Sequence, residues 1–310
     1  MHNKLAKIVI HTGSHKAGST SIQDFCCENK SALLQANIHY PVGLFEQFPR
    51  QHSHLARLLG RGAVEEIRAA FDKVRMDAEA QGANIVFLSG EDLCTLKDKH
   101  VILLSSICDE YFEAKEFVFV VRNRRDFLLS QLKHNLTHGP QVTENEYLRK
   151  FHFSPRDSYN AWKAHFSSSG KIVLYDEISS DLIQGFFRAA LVIDVRQAKF
   201  SNASHDMLTI SIINMFLKDK WTPEIDKIMW NLTQNHRERI GFQIEEKYAD
   251  DMVARSDESD WILDELEDPR KLVREAKPQR QGHDPVAVCD KMIDLFGALK
   301  RHFEAQPKGG

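Results

Sequence analysis

Four short runs rich in β-branched and aromatic residues, at 7–10, 85–88, 117–121 and 172–175, restrict this chain more than any other feature of its sequence. Each is too short and too continuously apolar for a half-exposed hairpin strand, and reads as a strand buried on both faces. Tens of residues with helical periodicity separate successive runs, far more than a hairpin requires. Connections of that length cross over the sheet as helices, so the strands are expected to lie parallel with helices on both faces. The expected fold class is therefore α/β, a three-layer sandwich with a central parallel sheet. In such sheets function gathers at the carboxyl ends of the strands.

Beyond about residue 200 the strand signal fades. The segments 206–218, 223–237, 242–255 and 285–304 carry amphipathic helical patterns, and the polar stretch 268–284 reads as a loop. This gives a core over 1–200 and a helical C-terminal extension over 201–310, as a flank of the same domain. With 310 residues and 42% hydrophobic content the chain can bury such a core.

The 41 Lys and Arg against 44 Asp and Glu leave a formal charge of −3, which provides no global field for nucleic acid or an anionic membrane. Any anion site must be local. The five cysteines, Cys26, Cys27, Cys94, Cys108 and Cys289, lack paired metal-type spacing and fit buried thiols in a reducing compartment. The opening apolar run is too short for a signal peptide, and no run approaches the ~18 residues of a membrane span, so the expectation is a soluble, cytoplasmic protein without stable membrane insertion.

The first run leads into His11-Thr12-Gly13-Ser14-His15-Lys16-Ala17-Gly18-Ser19-Thr20 and then a helical pattern through Ile22, Phe25, Leu33 and Leu34. A glycine-spaced loop between a strand and a helix N-terminus presents backbone N–H groups and the positive dipole end to an oxyanion. Gly13 and Gly18 have the spacing of a nucleoside-triphosphate loop, but that motif places Lys after its second Gly, and Ser19 stands there instead. A glycine-rich turn with an exposed lysine would look the same at this length.

The third run leads into Arg122-Asn123-Arg124-Arg125-Asp126, followed by a helical pattern holding Ser130. An arginine at a strand's carboxyl end and a serine about two turns later can converge on one phosphate. A solvated basic turn capped by Asp126 is the plainer reading of those residues alone.

Together, in this order and each at a strand end, the two motifs resemble the sulfotransferases that use 3′-phosphoadenosine 5′-phosphosulfate. Lys16-Ala17-Gly18-Ser19-Thr20 is similar to their 5′-phosphosulfate loop, K-[ST]-G-[ST]-T, with Ala17 departing from the hydroxyl residue expected there. Arg122 and Ser130 match their R-x7-S element for the 3′-phosphate. Ser21-Ile22-Gln23 and Ile38-His39-Tyr40-Pro41 resemble the bacterial, carbohydrate-type branch, and Asn202-Ala203-Ser204 resembles a polar loop placed near the donor.

The resemblance implies a P-loop-type sandwich and transfer of a sulfuryl group to an acceptor hydroxyl, on a carbohydrate, a glycolipid or another small molecule, without a metal. His15, Lys16, Ala17, Gly18, Ser19, Thr20, Arg122 and Ser130 would then bind the donor, with Lys16 at the leaving bridging oxygen. An acceptor hydroxyl needs a base within about 3 Å. Glu91, in Ser89-Gly90-Glu91-Asp92 after the second run, resembles the glutamate of related enzymes and is the expected base; it could instead cap the following helix. His52 and His54 are the rivals. Two other readings stay open: an ATP-dependent kinase of the same fold, with Asp92 holding Mg²⁺, and a non-catalytic nucleotide-binding protein.

Overall fold

The computed structural model describes residues 4–13, 15–43, 50–122, 127, 130, 155–166 and 170–195. All of these except Phe127 and Ser130 fall within one compact unit. The expected helical flank over 201–310 and the Asn202–Ser204 loop lie outside the described residues.

Among the described residues five parallel strands form the sheet: β1 (Leu5–His11), β2 (Ile38–His39), β3 (Ile85–Ser89), β4 (Phe112–Val121) and β5 (Lys171–Leu174), in the order β2-β3-β1-β4-β5. Four of them coincide with the four apolar runs. The two-residue β2 has no run of its own and owes its place to pairing of Ile38 and His39 with Ile85 and Val86. Tyr175, expected at the end of the last strand, instead begins a short helix.

Alternation along the strands supplies two cores. Ile8, Ile10, Val86, Leu88, Phe117 and Phe119 face one way, under helices α3 (His54–Gly60), α4 (Val64–Ala80), α5 (Asp98–Tyr111) and α6 (Pro155–His165). Val9, Phe87, Val118 and Val120 face the other, under α1 (Ser19–Glu28), α2 (Lys30–Gln35) and α8 (Leu182–Leu191); the short helix α7 (Tyr175–Ile178) follows β5. This is the three-layer α/β sandwich that strands buried on both faces require.

The single helix expected through Ile22 and Leu34 is two. Asn29 ends α1 by turning both its backbone N–H (2.9 Å) and its side-chain Nδ2 (3.0 Å) onto the carbonyl of Phe25, as a short amide side chain competing for backbone partners does. Cys26, Cys94 and Cys108 are buried and Cys27 is partly buried, with no disulfide among them; Cys289 lies outside the described residues. No helix among the described residues is long and apolar enough to cross a membrane.

Candidate active site at the carboxyl edge of the sheet

The register brings three strand ends to one edge. His11 pairs with Ser89 on one side and Val118 on the other, and the N–H groups of Gly90 and Thr12 extend the ladder to His11 O (3.2 Å) and Val118 O (2.9 Å). The loop after β1, the turn after β3 and the residue after β4 therefore open on the same edge.

Within the loop, Lys16 and Gly18 hold left-handed backbone, at φ 63° and 82°. Glycine takes this conformation freely, whereas lysine is strained there. A Cβ on Gly18 would also come within 2.6 Å of Leu182 Cδ2 and 3.1 Å of Tyr175 Cε2. Gly13 lies so close to His11 and β4 that a Cβ there would sit 2.8 Å from His11 Nε2 and 3.0 Å from Val120 Cβ. Gly18 precedes α1, so the N-terminus of that helix faces the loop.

Seven buried side-chain N or O atoms among the described residues have no hydrogen-bond partner, and four of them cluster here: His11 Nε2, Thr12 Oγ1, Ser19 Oγ and Arg122 Nε. Buried polar groups are normally paired, so this concentration marks a place prepared for a polar guest. Ser19 is buried and Thr20 exposed at the start of α1. The Ala17 methyl packs in the apolar cluster with Val9 and Ile22, so this position offers a ligand only its backbone. Ser14 lies outside the described residues.

Arg122 leaves β4 and turns back over the loop. Its Nη1 donates to Lys16 O at 3.0 Å, and its guanidinium lies 5.0 Å from the centre of the Tyr175 ring. Tyr175 thus touches both the arginine and the space beside Gly18. Nothing in the sequence around it signals this; only its position just after β5, on the same edge, could have pointed to it. Ser130 is helical and half-buried, while 123–126 and 128–129, which connect it to Arg122, lie outside the described residues.

Glu91 opens the 3-10 turn Glu91–Thr95 after β3, and its Oε2 lies 3.2 Å from Nδ1 of His15. Its side chain reaches back to the loop and does not cap the turn, which makes no side-chain cap hydrogen bond. Burial raises the carboxyl, but the hydrogen bond and charge of His15, together with the charge of Lys16, outweigh it and lower the group below its ordinary value. For His15 burial favours the neutral ring, yet hydrogen bonds and charge interactions with Cys94 and Glu91 prevail and raise it to about 10. Lys16 is lowered, first by burial and then by Arg122, with Glu91 opposing. Lys16, His15 and Glu91 accordingly form one mutually charged group.

The rival histidines divide. His52 is fully buried, with Nε2 2.7 Å from Pro41 O and Nδ1 3.0 Å from the backbone N of Ser89; both ring nitrogens are committed to main chain. Burial lowers it to about 4, against its hydrogen bonds with the Pro41 and Ser89 main chain. It ties Pro41 to β3. His54, the partly exposed first residue of α3, makes no such commitment. His11 is likewise buried and lowered to about 4, its Nδ1 2.9 Å from Ser89 Oγ, and Ser89 Oγ accepts from Gln23 Nε2 at 3.2 Å. Among the described residues no group of three or more His, Cys, Asp or Glu could hold a metal ion.

Strand order 2-3-1-4-5, with a glycine loop passing from the central strand to a helix N-terminus, defines a P-loop-type α/β sandwich. No family model matches the chain, and no curated protein matches it in sequence. Among solved structures it is similar to a sulfotransferase from Alicyclobacillus acidocaldarius, at a TM-score of 0.43 and 15% identity over 71% of this chain and 93% of the other. It is also similar to a structure of the PezAT chromosomal toxin-antitoxin system of Streptococcus pneumoniae, at a TM-score of 0.30 and 16% identity over 81% of this chain and 89% of the other. Neither likeness bears on what the chain does.

Proposed function

We propose that the chain is a sulfotransferase that moves a sulfuryl group from 3′-phosphoadenosine 5′-phosphosulfate to the hydroxyl of a carbohydrate or other small molecule. The observation that supports this most is the cluster of buried, unpartnered polar atoms of His11, Thr12, Ser19 and Arg122 around a loop that also holds Lys16. A bound anion would supply the partners these atoms lack, and hydrogen bonds to a charged group are the stronger kind.

In the reaction the bond between sulfur and the 5′-phosphate oxygen breaks as sulfur bonds to the acceptor oxygen, and the acceptor's proton must leave. Ser19, Thr20 and the loop amides hold the 5′-phosphate. Lys16 neutralises the charge that builds on its bridging oxygen, and Arg122 receives the 3′-phosphate. Glu91, ionised throughout the neutral range and next to the loop, takes the proton.

The test is a melting series with 3′-phosphoadenosine 5′-phosphate in the presence of a chelator, followed by transfer from labelled donor to a panel of hydroxyl acceptors. A ligand selective for the folded state raises the melting temperature. Stabilisation by ATP that requires Mg²⁺, with none by the 3′-phosphorylated nucleotide, would overturn the reading in favour of a kinase. Binding without transfer to any acceptor would leave a nucleotide-binding protein.

A further inference from the structure

The loop histidine and the carboxylate after β3 are 76 positions apart in sequence and 3.2 Å apart in space. Among the described residues Glu91 bonds through Oε2, and Oε1 has no partner. His15 and Glu91 are each about one quarter exposed, so the pair sits at the rim of the loop and not in the core. A carboxylate on a flexible side chain can turn either oxygen outward, and a ring N–H bonded to one of them removes that freedom.

We propose that His15 is a positioning residue: its Nδ1–H fixes Oε2 of Glu91, so that Oε1 is the oxygen that takes the acceptor's proton. This rests on the reading of Glu91 as the base. Other groups act on the same pair. Lys16 from the loop and His11 from β1 draw the carboxyl down, Cys94 from the 3-10 turn bonds His15, and Arg122 beyond β4 acts on Lys16. Lys16 and His11 remain when His15 is removed, so the contribution of His15 can be read separately.

The role makes two linked demands. Without the imidazolium the Glu91 carboxyl should titrate higher, and turnover should fall because the carboxylate is no longer held. Asparagine at 15 can place an N–H close to where Nδ1 stands, without the charge, and should restore much of the positioning but little of the electrostatic effect.

The experiment follows the ¹³C-labelled Glu91 carboxyl by NMR titration, assigned with Glu91→Gln, in the wild-type chain, His15→Ala and His15→Asn, alongside the pH profile of sulfuryl transfer. In His15→Ala the carboxyl midpoint should rise and the acidic limb of kcat should move with it, with kcat down about 10–100-fold. His15→Asn should recover most of kcat. An unmoved carboxyl midpoint in either folded variant overturns the proposal, as does a kcat that asparagine fails to rescue while alanine leaves the acidic limb in place. The base assignment fails separately, if Glu91→Gln keeps wild-type turnover; the titration still reports whether His15 holds the carboxylate.

Discussion

Arg122 Nη1 donates to the main-chain carbonyl of Lys16 at 3.0 Å, tying the residue that leaves β4 to the loop that leaves β1. Lys16 sits in left-handed backbone, a conformation that costs a non-glycine residue about 1–2 kcal/mol. The arginine is one of the contacts that hold it there, and the Tyr175 ring lies under the guanidinium. The loop after β1 and the residue that leaves β4 are therefore mechanically joined.

Arg122→Ala should weaken binding of 3′-phosphoadenosine 5′-phosphate by about 1.5–3 kcal/mol, through loss of a charge-assisted contact. Because the same side chain also steadies Lys16, a nucleotide lacking the 3′-phosphate should lose affinity too, though less. Calorimetry with both ligands measures the difference; an unchanged affinity for the 3′-phosphorylated ligand in a folded variant rules out the contact.

Gly18→Ala should destabilise the loop by roughly 1–2 kcal/mol from backbone conformation alone. The added methyl must also push aside the flexible end of Leu182 and crowd Tyr175. The expected result is a lower melting temperature together with weaker donor binding. A variant with wild-type stability and affinity would mean that the left-handed turn is not required.

Glu91→Gln keeps the size of the side chain but cannot accept a proton, so turnover should drop by about 10²–10⁴-fold with donor affinity nearly unchanged. Lys16→Ala should lose both, since its charge meets the donor before and during transfer. Single-turnover rates beside equilibrium binding separate the two patterns. Abolished turnover in His54→Ala beside an active Glu91→Gln would move the base to the partly exposed histidine.

His52→Ala should destabilise the fold by about 1–3 kcal/mol for each main-chain group it orphans, namely Pro41 O and Ser89 N–H. Its pH signature is also defined. His11 and His52 titrate near 4 in the folded chain against an ordinary 6.5, so each is depressed on folding. The stability that depends on their neutral forms is complete above about 6.5 and is lost as pH falls toward 4. Urea midpoints across that window should fall for the wild type and less steeply for a His52 variant; parallel curves would show that His52 is not held neutral.

The strands were legible because a strand buried on both faces needs an unbroken apolar run, a purely local property, and the long spacings between runs demanded crossovers and hence a parallel sheet. A parallel sheet in turn puts the ends of those strands, with Lys16, Glu91 and Arg122, at one edge. The two-residue β2 escaped notice because two residues of pairing leave no periodic trace, and Asn29 broke a helix whose apolar pattern runs on through it.

What the sequence by itself determined is the order of the strands along the chain, the glycine loop with its lysine and the edge at which chemistry can occur. Which partner each polar group takes was decided only by the tertiary structure. Two residues apart, His52 and His54 were equivalent candidates, yet one is clamped between Pro41 and Ser89 and the other is not. The Ala17 position turned its methyl into the core, and Arg122 crossed 106 positions to reach a carbonyl of the loop. Hydrogen bonds and ion pairs depend on distance and desolvation, and both arise only when distant segments pack together; periodicity along the chain carries no record of them.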